Sequence, residues 1–236
     1  MAFSGSNDFT YTRDQIIKAA LRKCRAYDVD GGAPEAYQIR DAAEALNLIA
    51  KRMSTKGTVL WSETELEIQL AKGKASYTVG ASAYINTTRP LRMHHPRLRT
   101  NSTKEDVPLQ MYSRSDYTAL TNKFSTGTPT AIWYDRSITQ GVVYVWPVPD
   151  VSTKKLIATA DIPLQDFDAS GNDAHCPSYV YEYFVWALAA AVAPEYGIPL
   201  PERQEFTMRA MEYENDVLEY EFEEEGVQFV PSGSWR

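Results

Sequence analysis

The sequence predicts an α+β protein: a discontinuous helical bundle drawn from both chain ends, an inserted small antiparallel β domain, and an extended C-terminal tail. Three observations predict it. Apolar residues recur at helical spacing before Gly57 and again after Pro177, and between these segments they alternate at strand spacing. Turn residues (Gly73, Gly127, Pro129) punctuate the middle at short intervals. The expected boundaries are 1–57 for an N-terminal helical hairpin, 58–172 for the β domain with long loops, 173–225 for the C-terminal helices, and 226–236 for the tail.

Thr12 opens the first helix, with Gln15 three residues on in capping-box spacing. Ile16, Ile17, Ala20, Leu21 and Cys24 share one face. The segment DVDGGAP breaks the helix, and Pro34 stands where a first helical turn tolerates it. Ala42, Leu46, Ile49 and Met53 stripe the second helix, which Gly57 ends. Leu66, Ile68 and Leu70 then alternate with Glu65, Glu67 and Gln69, a half-buried strand. Lys72-Gly73-Lys74 turns into Ser76–Val79, which suggests a hairpin.

Residues 84–107 are Pro-punctuated and basic, and are expected to be irregular. Ser113 is placed to cap a short helix through Asn122. Strands are expected at Ala131–Tyr134, Val142–Trp146 and Lys155–Ala160. Past Pro177, Val180, Phe184, Leu188 and Ala191 mark a broad apolar face that Pro194 and Gly197 close. A last helix runs from Pro201 to about Glu225, with Phe206, Met208, Met211, Val217 and Leu218 as its candidate buried positions. GVQFVPSGSWR is the extended tail.

The 236 residues carry a formal net charge of −7, which argues against a dedicated duplex-DNA binder. The charge is uneven. Ten acidic residues lie between Glu202 and Glu225, against Arg203 and Arg209. Arg89, Arg92, Arg97, Arg99 and Lys104 form a basic stretch with no acid inside it. Such poles can join two copies of a chain or a chain and a partner, or can be solvated faces. The basic stretch can equally meet nucleic-acid phosphates or an acidic partner. The 15 Tyr and 5 Trp suit an interface or a β core. Two cysteines, Cys24 and Cys176, make no disulfide framework, no secretory signal is recognised, and no apolar run reaches membrane-spanning length. The expectation is a soluble protein made in a reducing cytosol.

Catalytic motifs fail one by one. Lys72-Gly73-Lys74-Ala75-Ser76 lacks the upstream glycine and the following Ser/Thr of a phosphate loop. Asp28-Val29-Asp30-Gly31 lacks the remaining ligands of a calcium loop. His94, His95, His175, Cys24 and Cys176 show no zinc spacing, and no nucleophile signature occurs. Glu182, Glu195, Asp135 and Asp161 are expected as caps or surface charges, although a glycosidase pair stays open among so many carboxylates. No catalytic residue, metal or cofactor is expected.

Four segments in order resemble the tail accessory factor family of short-tailed phages, the head-to-tail adaptor. TRDQIIKAALRKCRAYDVDGGAPEAYQIRDAAEALNLIAKRM followed by KGTVLWSETELEIQL resembles the opening hairpin and strand. SRSDYTALTNKFSTGTPTAIWYD, VYVWPVP and CPSYVYEYFVWALAAAVAPEYGIP resemble the central helix and strand, the Trp-Pro strand end and the aromatic-Ala helix. The resemblance implies a structural virion protein of the neck, made in the host cytoplasm. It would bind the portal, complete the head after packaging and form a ring, in twelve copies, beneath which further tail or nozzle proteins assemble. It also implies that the tail reaches the portal, which singles out Gln228, Phe229, Trp235 and Arg236. The stretch from Arg89 to Lys104 has no counterpart in the resemblance and could meet a partner or packaged DNA. The alternatives are another neck or nozzle ring protein and, more distantly, a cell-wall glycan hydrolase.

Overall fold

The structure, a computed structural model, describes residues 5, 9–27, 32–56 and 60–220. Its helices are α1 (Arg13–Lys23), α2 (Ala36–Thr55), α3 (Arg114–Ala119), α4 (Tyr181–Val192) and α5 (Leu200–Tyr220). Its strands are β1 (Glu63–Gln69), β2 (Ser76–Gly80), β3 (Ile85–Asn86), β4 (Arg92–Thr100), β5 (Asp106–Pro108), β6 (Gln110–Met111), β7 (Thr126–Gly127), β8 (Ala131–Asp135), β9 (Gly141–Trp146), β10 (Val148–Pro149) and β11 (Lys154–Asp161). The protein is α+β.

The helices begin where the sequence supplies caps. The Thr12 side chain accepts from Gln15 N, and Thr12 N donates to Gln15 Oε1 at 2.8 Å. These reciprocal bonds satisfy donors that a helix start leaves open. In α2, Gln38 Oε1 accepts from Glu35 N at 2.8 Å, while its Nε2 donates to Ala26 O at 3.1 Å and ties the two helices together. Pro34 therefore precedes the N-cap Glu35 and stands outside the first turn.

One apolar core joins α1, α2, α4 and α5. Ile16, Ile17 and Leu21 meet Leu46 and Met53 of α2, Phe184 and Leu188 of α4, and Phe206 and Val217 of α5. The expected faces need three corrections. Ala50 is buried where Ile49 is only half-buried, Ala191 is exposed, and Met208 and Met211 of α5 are 64% and 57% exposed. Met208 and Met211 stay exposed because α5 packs chiefly on α4, so only a narrow stripe of its surface is covered.

The strands form two main sheets, ordered β1-β11-β4-β5 and β3-β2-β9-β8-β6, with a parallel β10/β7 pair beside them. The first is antiparallel throughout, and the second is antiparallel except at its edge pairs β2/β3 and β6/β8. The sheets share one core, where Leu66, Ile68, Met93, Leu98 and Leu156 meet Tyr77, Val79, Ile132, Val143 and Val145.

Two local expectations fail here. Lys72-Gly73 does form a turn, with Lys74 N donating to Ala71 O at 3.1 Å, but β1 and β2 do not pair as a hairpin. β1 pairs with β11 over seven residues, so the turn carries the chain across the core from one sheet to the other. Residues 92–100 are a strand, not an irregular loop. Their alternation is hidden by a β-bulge at which His95 has φ 47°, and His95 and Pro96 together oppose Ala158. The short helix α3 is capped by Ser113 as expected but ends at Ala119.

Residues 162–176 strap the β body to α2. Leu164 N donates to Ser54 Oγ at 3.0 Å, Lys51 Nζ to Leu164 O at 2.9 Å, and Phe167 N to Asn47 Oδ1 at 2.8 Å. Leu164 and Phe167 are buried in the helical core. The strap thereby fixes the position of the sheets against the helices.

Candidate functional site

A cleft of about 640 Å³ opens beside β8 and is lined by Arg92, Arg114, Arg136, Tyr112 and Trp133 among others. One carboxylate, Asp135, accompanies the three guanidiniums there. Behind the cleft, Tyr134 is 6% exposed and its Oη donates to Pro90 O at 2.7 Å. Burial pushes the Tyr134 phenol up, opposed by the nearby Arg89 and Arg136.

An aromatic face adjoins the cleft on the outer side of the same sheet. Trp133 and Tyr144 are cross-strand partners and stack at 4.8 Å between centroids. The capping box at Ser113 starts α3 so that Tyr117 lies over both rings, at 5.0 Å from Trp133 and 5.1 Å from Tyr144. Trp146 Nε1 donates to Asn122 O at 2.9 Å, holding the following loop, on which Phe124 is 82% exposed. Half-buried Tyr and Trp next to Arg is the composition that protein interfaces concentrate. Sequence reasoning placed aromatic strands here but not the cleft, because Arg92, Arg114 and Arg136 converge only through the fold.

The five basic residues singled out in the sequence do not form one patch. Arg97 and Arg99 lie on the outer face of the four-stranded sheet and are ion-paired. Arg97 meets Glu65, and its Nε lies 3.1 Å from Asp106 Oδ2; Arg99 Nη2 lies 2.5 Å from the same oxygen. Hydrogen bonding to Arg99 holds the Asp106 carboxyl below its ordinary range. Arg89 and Arg92 sit by the cleft, where Arg92 Nη2 also donates to Thr55 O at 3.4 Å, and Lys104 is exposed in the turn between β4 and β5. Gln228, Phe229, Trp235 and Arg236 lie outside the described residues.

Both thiols are free. The Cys24 thiol donates to Ala189 O at 3.4 Å and is pushed up by burial to about 11, and Cys176 to about 12. Below those values they stay protonated and poorly nucleophilic. At pH 8 a thiol-specific reagent is expected to modify the native protein far more slowly than the unfolded chain. Equal rates would contradict the burial. Among the described residues one set of metal-capable side chains converges: Glu63, His94 and Asp161, whose ligand atoms lie within 4.8 Å of one another. No described helix is long and apolar enough to cross a membrane.

A helical body joined to a two-sheet β body, with an Arg–aromatic cleft on the second sheet, is the architecture to be placed in a family. The chain belongs to the SU10 adaptor protein family, whose model matches residues 11–220. It is thus a phage adaptor of the head-to-tail class, a structural family. No match to a curated protein was found.

Proposed function

We propose that the protein sits in the virion neck, binds the portal ring, completes the head after genome packaging and forms a ring that carries further tail components. The observation that carries this reading is the family match, which spans the helical and β bodies alike. A closed ring joins two different surfaces of each protomer, and this chain has two of opposite character. One is the cleft with Arg92, Arg114 and Arg136 beside stacked aromatics. The other is α5, which exposes Glu212, Asp216 and Glu219 together with Met208 and Met211. Charge complementarity of this kind steers assembly, and ring avidity multiplies weak contacts. The ring would contain twelve copies, and portal contact would run through the tail at Gln228, Phe229, Trp235 and Arg236.

Deletion of residues 226–236 tests the tail. The truncated chain is expected to keep its melting temperature and to lose most binding to purified portal rings. Full retention of binding would reject tail docking. In isolation the chain is expected to sediment as a monomer, since a ring-former that closed on its own would bypass the portal. Closed rings at low concentration without portal would reject that order of assembly.

A further inference from the structure

Three paired strands of the four-stranded sheet each bring a metal-capable side chain to one end of its outer face. Glu63 opens β1, His94 precedes the β4 bulge, and Asp161 closes β11. Glu63 and Asp161 are register partners, so two carboxylates stand directly opposite each other, which disfavours strand pairing unless a cation intervenes. The His94 ring lies between them. Its Nε2 is 3.5 Å from Glu63 Oε1 and its Nδ1 is 3.3 Å from Asp161 Oδ1.

Asp161 is the informative member. The residue is 7% exposed, and its Oδ1 is buried with no hydrogen-bond partner, its nearest polar neighbour in the cluster being His94 Nδ1 at 3.3 Å. Burial pushes this carboxyl above the ordinary aspartate range, although His94 and Arg92 pull it down. A buried carboxylate oxygen aimed at an imidazole and a second carboxylate, with nothing bonded to it, is costly unless a cation completes it.

We propose that Glu63, His94 and Asp161 form a binding site for a divalent first-row transition ion, with zinc the best fit. One imidazole nitrogen and two carboxylate oxygens are the mixed donor set that this class of ion takes. Magnesium and calcium take oxygen ligands instead. The 3.3 Å between Nδ1 and Asp161 Oδ1 matches the edge of a tetrahedron whose bonds are about 2.0–2.1 Å. With Nδ1 and Asp161 on the ion, Glu63 closes the third position by rotating its partly exposed side chain, and water completes the shell. The ion would staple β1, β4 and β11 together. It would do so next to Arg92, which reaches Thr55 at the end of α2, so occupancy would stiffen the joint between sheets and helices.

The test uses the full chain, stripped with a chelator and dialysed. Zinc chloride titration by calorimetry is expected to show one ion bound per chain, with a raised melting temperature. Cobalt chloride is expected to give the visible absorption of a four-coordinate site, displaced by zinc. His94→Ala and Asp161→Asn are each expected to weaken zinc binding by more than about tenfold, the size that loss of even a supporting residue produces. Glu63→Gln, at the exposed rim, is expected to weaken binding in the same direction and serves if Asp161→Asn does not fold. His175→Ala, at an exposed histidine outside the cluster, is expected to bind as the parent does. Absence of zinc binding, binding unchanged by His94→Ala and Glu63→Gln, or magnesium bound as tightly as zinc would each overturn the assignment and leave His94 as an ion-pair partner alone.

Discussion

Phe184→Ala is expected to lower folding stability by about 3–5 kcal/mol, the cost of removing a fully buried aromatic ring from a packed core. Phe184 is 1% exposed, and its ring lies 6.0 Å from Phe167 and 5.4 Å from Tyr183. It projects from α4, the helix that packs against α1, α2 and α5, so the cavity would open where these four helices meet. Phe167 belongs to the strap that leads out of the β body, so the loss would also loosen that joint. Denaturant unfolding followed by far-UV circular dichroism measures the change. A loss below about 1 kcal/mol, the range of surface substitutions and small adjustments, would contradict the central place given to α4.

Gly141→Ala is expected to destabilise by about 2–4 kcal/mol, combining overpacking with a strained hydrogen bond. A Cβ at Gly141 would stand 2.6 Å from Tyr134 Cζ and closer still to Oη and Cε2. The ring cannot swing aside freely, because it is buried and its hydroxyl donates to Pro90 O at 2.7 Å. Gly73→Ala is the control. Gly73 has φ +77° and nothing within 4 Å of an added Cβ, so its cost is backbone strain alone, about 1–2 kcal/mol. Equal destabilisation by the two substitutions would reject the steric account of Gly141.

The parts of this fold legible in the sequence are those written locally. The Thr-x-x-Gln box at Thr12 fixed the start of α1, the alternation of Leu66, Ile68 and Leu70 marked β1, and three later strands fell within a residue or two of their bounds. Non-local choices were not legible. Nothing near Lys72 says that β1 will pair with β11 instead of β2, since that choice is made by a strand far along the chain. The strand Arg92–Thr100 was masked because its outward arginines answer to Glu65 and Asp106 on neighbouring strands, and because a bulge interrupts its period. Asp161 was expected at the surface and is buried, where the Glu63 and His94 side chains close over it. The Arg–aromatic cleft was invisible for the same reason: each arginine is unremarkable in sequence and they meet only in the fold.

Electron microscopy of the purified chain mixed with portal rings tests the adaptor role. The expected image is a ring of this protein seated on one end of the portal, its copies in register with the portal subunits, and no such ring without portal. Portal rings that remain bare at saturating concentrations of the chain, with the chain still folded, would contradict it.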